Sequence, residues 1–180
     1  MLRRVLRWSV LLIAVLVATT PACTPPGPAM APAPAGSAAH ALLEAAPDLD
    51  GQAIGPLATD GRATIAVVFA SWCTHCRDEI PVLAELAARQ PGLRILGVNY
   101  RRHEEYAQRG DAAAVRAFVA EVAPWLRVVP ADEALWAALG RPPKVPALYV
   151  FDRRGRLVRT FDRRRAEIPT LAELEAALPP

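Results

Sequence analysis

Two cysteines stand three residues apart in Trp72-Cys73-Thr74-His75-Cys76. The apolar, β-branched run at 64–70 (TIAVVFA) reads as a buried strand that ends just before them. Ile80, Leu83, Ala84, Leu86 and Ala87 recur at helical spacing, so a helix begins at the cysteines and continues to about Arg89, where Pro91-Gly92 ends it. A thiol at a helix N-terminus faces unpaired N–H groups and the positive end of the helix dipole, and both favour its thiolate. The thiolate is the attacking species in disulfide exchange. Cys73 is therefore the candidate nucleophile. Cys76, one turn further in and better shielded, is placed to attack a mixed disulfide from within and release the partner.

Two other readings compete for the pair: a structural disulfide and half of a zinc site. Zinc asks for four ligands, or three and a water. The remaining soft candidates are Cys23, His40, His75 and His103, and none pairs with another at metal-ligand spacing. No metal is expected, and disulfide exchange by a dithiol needs no cofactor. His75, inside the motif, tunes the pair: protonated, it lowers the pKa of Cys73 and favours the reduced form. Glu79 lies three residues after Cys76 on the same helical face. A buried carboxylate there raises a thiol pKa and opposes His75.

The elements that must position these groups follow from the rest of the chain. Residues 93–99 (LRILGVN) form a second strand, and the charged stretch 100–110 reads as a loop with His103 in solvent. Asp111 caps a helix over 112–122. A short apolar segment at 126–129 precedes a helix over 132–139 that stops at Gly140. Residues 147–151 (ALYVF) form a strand, Asp152-Arg153-Arg154-Gly155 a hairpin turn, and 157–161 the returning strand. Thr170 begins a final helix. Pro81 should kink the cysteine-bearing helix. Trp125 and Trp136 read as core or groove aromatics, and the arginines at 101–102, 153–154 and 163–165 as exposed turn faces. Alternating strands and helices followed by a hairpin specify an α/β fold, with a mixed central β-sheet flanked by helices.

The N-terminus carries a targeting pattern. Arg3, Arg4 and Arg7 precede an apolar core of about 11 residues, which fits a secretory signal of ~7–15 and falls short of the ~20 that span a membrane. Pro21-Ala22-Cys23 resembles a bacterial lipoprotein signal, which implies lipidation of Cys23; Thr20 departs from that pattern. Residues 24–39 hold five prolines, two glycines and no charge, so they can bury no patterned face. The expected organisation is a signal peptide at 1–22, a Pro/Ala-rich membrane tether at 23–40 and one folded domain at 41–180. Net charge is +3, but without the three leading arginines 18 basic residues face 18 acidic ones. A nucleic-acid binder needs a basic footprint, so no nucleic-acid partner is expected.

Four features together resemble the thioredoxin-like superfamily over about 47–178. Within it they resemble the TlpA/ResA-type membrane-anchored thiol–disulfide proteins of bacterial periplasms and cell surfaces. They are Trp72-Cys73-x-x-Cys76 after an apolar strand, Glu79 and Pro81 in Cys-x-x-Glu-x-Pro, Val145-Pro146 before ALYVF, and Asp152-x-x-Gly155-x-Leu157. The resemblance implies a thioredoxin-like fold with a cis Val145–Pro146 bond beside the cysteines. It implies that Trp72, Val145 and Pro146 receive substrate. It implies an exported thiol–disulfide oxidoreductase, a reductase of protein disulfides at the periplasm or cell surface. Its partners would be protein thiols or disulfides, apocytochrome c cysteines being one class, and a membrane thiol electron donor. One departure matters. Thioredoxin keeps a buried acid six residues before the first cysteine, and here Val67 stands in that place. Glu79 is then the acid nearest the pair, to take and return the proton of Cys76. The rival functions are a disulfide oxidase or isomerase, a copper-binding carrier of similar fold using His103, and a non-catalytic interaction module.

Overall fold

The computed structural model of the protein describes residues 35–57, 60–162 and 168–179. The expected signal at 1–22, Cys23, the tether as far as residue 34 and the arginines at 163–165 lie outside the described residues.

The apolar run 64–70 forms β1 (Ala63–Phe69), whose last six residues are all buried. It pairs in parallel with β2 (Leu93–Tyr100), which pairs in parallel with β3 (Arg127–Ala131). On its other side β1 pairs antiparallel with β4 (Ala147–Phe151), and β4 antiparallel with β5 (Leu157–Asp162). The sheet order is β3-β2-β1-β4-β5. A central strand with covered faces reads as a continuous apolar run rather than an alternating one, as β1 and the fully buried β4 do. Pro130 is accommodated in β3 because that strand is an edge.

The helices are α1 (Ala35–Ala45), α2 (Thr74–Arg89), α3 (Arg101–Glu104), α4 (Ala112–Val122), α5 (Glu133–Ala138) and α6 (Leu171–Ala177). Side-chain caps mark their starts. Asp111 accepts from the Ala114 amide at the head of α4, Asp132 from the Leu135 amide at α5, and Thr170 with Glu173 closes a reciprocal capping box at α6. Pro81 sits inside α2 and removes one backbone bond without ending the helix.

Three features differ from the sequence expectation. The helix α1 begins inside the stretch expected as an extended tether, so the residues from Ala35 to His40 are helical. Alanine has the highest helix propensity, and Ala39 and Leu43, one turn apart, are buried. His40 is buried with them, its ring 5.4 Å from that of Phe151. Gly155, at φ +70, closes over it: a Cβ there would lie 2.5 Å from His40 Nδ1. Second, the charged stretch after β2 is folded, as α3 and a 3₁₀ turn at Tyr106–Gln108. Third, of the two tryptophans expected in the core or a groove, Trp136 is buried in α5 while Trp125 is exposed.

Candidate active site

The strand β1 delivers the chain to Ser71 and Trp72, and α2 starts at the next turn. Cys73 is its N-cap. The Cys73 sulfur accepts from the Cys76 N–H at 3.2 Å and donates to the Val145 carbonyl at 3.6 Å. Both cysteines are thiols. Cys73 retains a sliver of exposure, 5%, at the floor of a cleft; Cys76 has none. Burial, then the hydrogen bond and charge of Cys73, push the Cys76 thiol far above the ordinary thiol range. The two sulfurs thus differ in access: the outer one lines the cleft and the inner one is shielded.

The buried stripe of α2 is Cys76, Glu79, Ile80, Leu83 and Leu86. Glu79 occupies a position on that stripe that would ordinarily be apolar. It is fully buried, and among the described residues neither carboxyl oxygen has a hydrogen-bond partner. Desolvation pushes its pKa up to about 7. A carboxyl with that proton affinity exchanges its proton near neutral pH. Its charge, when present, raises the Cys76 thiol further. Val67, on β1, is buried and apolar, as the missing acid implied.

The Val145–Pro146 peptide bond is cis and lies at the start of β4. Trp72, Cys73, His75 and Val145 line one cleft of about 460 Å³, with Pro146 buried behind Val145. Of the other sequence candidates, Cys76 and Glu79 lie buried on α2, and Cys23 lies outside the described residues. His75 is exposed at the cleft edge. Trp72 is half-buried and forms a wall.

Sequence reasoning missed what holds that wall. The indole N–H of Trp72 donates to the carbonyls of His103 and Glu104, at 3.1 and 3.0 Å. The Glu104 carboxylate is buried and accepts from the Ser71 amide at 2.9 Å, from the Ser71 hydroxyl and from the Asn99 side-chain amide at 2.8 Å. Asn99 also donates to the Phe69 carbonyl at 3.2 Å. One carboxylate therefore ties the end of β1, the end of β2 and the turn that carries Trp72-Cys73. Gly110 leaves room for it: a Cβ there would fall 2.0 Å from Glu104 Oε1. His103 is not in solvent either. It stands edge-on to Trp136 at 4.5 Å and to Tyr100 at 5.9 Å, and burial lowers its pKa. Nothing local marks Glu104 as buried, since it sits between arginines, a histidine and another glutamate; a Gly-Asp pair just downstream was the only hint of a tight return. Among the described residues no three His, Cys, Asp or Glu side chains stand together as a metal site.

No family model matches the chain. Over 74 residues it is 42% identical to the thiol:disulfide interchange protein CycY of Rhizobium leguminosarum bv. viciae, a match that spans 39% of each sequence, well under half of that relative's length. Its fold superposes on a secreted Mycobacterium tuberculosis disulfide oxidoreductase homologous to E. coli DsbE, with TM-score 0.60 and 23% identity over 76% of this chain and 94% of that one. A thioredoxin-family thiol:disulfide interchange protein of Chlorobium tepidum gives TM-score 0.59 at 20% identity, over 73% and 87% of the two chains. With a cysteine pair heading α2, a cis-proline at the start of β4 and this sheet order, the chain has a thioredoxin-like fold and is similar, over part of its length, to a thiol:disulfide interchange protein.

Proposed function

We propose that the protein is an exported thiol–disulfide oxidoreductase that reduces protein disulfides through Cys73 and Cys76. The observation that carries this reading is the Cys73 sulfur, set at the N-cap of α2 at the floor of an open cleft, with the Cys76 amide and the Val145 carbonyl on it. In the reaction, the Cys73 thiolate attacks one sulfur of a partner disulfide. A bond forms between them, the partner S–S bond breaks, and the other partner sulfur leaves as a thiolate. Cys76 then gives its proton to the Glu79 carboxylate, and its thiolate attacks Cys73. The second partner sulfur departs, leaving a Cys73–Cys76 disulfide and a reduced partner. Two electrons have passed to the partner, and a membrane thiol donor restores the pair.

Trp72, Val145 and Pro146 receive the partner chain in this scheme, His75 tunes Cys73, and apocytochrome c cysteines are one substrate class. Export rests on the leader pattern at 1–22, and tethering on lipidation of Cys23. Among the described residues no helix is long and apolar enough to cross a membrane. The test is trapping: a Cys76→Ala variant, unable to resolve, should accumulate mixed disulfides through Cys73 with partner proteins in a host that exports it. No adduct above a Cys73→Ser/Cys76→Ala control would overturn the reading. Direction is tested by the reduction potential of the pair. A value well below about −180 mV supports reduction, and one near the ~−120 mV of strong oxidants supports an oxidase instead.

A further inference from the structure

The cleft over Cys73 is lined by cations and no acid. Arg109 and Lys144 both line it, and none of its lining residues is Asp or Glu. Neither cation has a carboxylate partner among the described residues. The nearby acids are turned away: Glu104 faces inward onto Ser71 and Asn99, and Glu105 pairs with Arg101. Beyond the leading arginines the chain is balanced, so this is placement rather than a general excess of base.

The placement is also built. The Arg109 guanidinium lies 5.1 Å from the ring centre of Trp72 and 5.9 Å from that of Tyr106, a ring left 62% exposed. To return Arg109 over Trp72, the chain passes through two successive left-handed residues, Ala107 at φ 52 and Gln108 at φ 57. Residues with a Cβ rarely take that conformation, and such departures gather at ligand sites.

We propose that this cleft selects disulfides in acidic polypeptide segments, those with a carboxylate within a few residues of the attacked cysteine. Arg109 and Lys144 attract the segment, and the Trp72–Tyr106 shelf packs its apolar part. The inference rests on the exchange reading above. In the productive step the Cys73 thiolate bonds to the sulfur nearest the carboxylate, that S–S bond breaks, and the distal sulfur leaves as a thiolate.

The test uses the full-length Cys76→Ala protein and three peptide disulfides alike except for flanking Glu, Gln or Lys. Mixed-disulfide formation is timed for each. Any change in the thiolate population of Cys73 multiplies all three rates equally, so the ratio among them reports docking alone. The Glu peptide should react about tenfold faster than the Lys peptide at low salt, and the ratio should fall towards about two at high salt. The charge reversals R109E and K144E together should invert the order, which a misfolded protein would not do. Equal rates for the Glu and Lys peptides, or an order unchanged by the reversals, would overturn the inference while leaving exchange intact. Failure of all three peptides would instead overturn the exchange reading, and this inference with it.

Discussion

Replacing Glu79 by Gln tests the electrostatics of the buried pair without changing the shape of the side chain. Glu79 has no exposure, and its carboxyl is raised to about 7 from an ordinary 4.5. The folded protein therefore binds that proton more tightly than the unfolded chain. The stabilisation is fully present below about pH 4.5 and is lost as the pH rises through about 7. A tenfold change in proton affinity is worth about 1.4 kcal/mol, so the whole effect is roughly 3 kcal/mol, and roughly 2 kcal/mol of it falls between about pH 5 and about pH 7.5. His40 and His103 act in the opposite sense, because burial lowers both and acid must charge them. The quantity to measure is therefore the difference between wild type and Glu79→Gln, from urea unfolding of the reduced proteins at each pH. The variant lacks a charge to bury, so the wild type should lose about 2 kcal/mol more than it does as the pH rises. Parallel pH slopes in the two proteins would refute the argument, because Glu79 would then ionise as an ordinary surface carboxylate.

Other expectations follow from the same geometry. The rate at which Cys76 resolves a mixed disulfide should rise with pH around a midpoint near 7, and Glu79→Gln should abolish that midpoint; rapid-quench kinetics with a peptide disulfide reads both. Glu104→Ala leaves the Ser71 amide and hydroxyl without their acceptor and takes one of two from Asn99, at a cost of about 2–4 kcal/mol in denaturant unfolding; unchanged stability would contradict the role assigned to that carboxylate. His40→Leu should lessen the loss of stability below about pH 6.5, since the lowered pKa of His40 makes the fold weaker as acid protonates it. Thermal melts of the two proteins between about pH 5 and pH 7 would show it.

The parts of the site that were legible in the sequence are those set by local chemistry. An unbroken run of β-branched residues marked β1, the cysteine spacing marked the start of α2, and Val145-Pro146 before an apolar pentapeptide marked β4. Glu79 was legible as an acid on the cysteine face, though its depth was not, because a helix periodicity does not say how far a sheet covers it. Glu104 was illegible for a different reason. Its partner Ser71 lies 33 residues away, and a carboxylate among Arg101, Arg102 and Glu105 has the local signature of a solvated loop. The same long-range folding brings Arg109 over Trp72 and turns an apparent charged linker into one wall of the cleft. Ala35 to His40 were misread because composition alone, alanine beside proline, suits both a tether and a short helix. What separates them is the burial of Ala39, His40 and Leu43 against α5 and the hairpin.

Exchange as proposed requires the two thiols to be unequal, Cys73 reactive and Cys76 held in reserve. Limited alkylation of the reduced native protein with iodoacetamide at neutral pH, read by peptide mass mapping, tests this directly. Modification at Cys73 should run at least about tenfold faster than at Cys76, with Cys76 becoming reactive only on unfolding. Equal labelling, preferential labelling of Cys76, or a Cys73 as inert as Cys76 would contradict it.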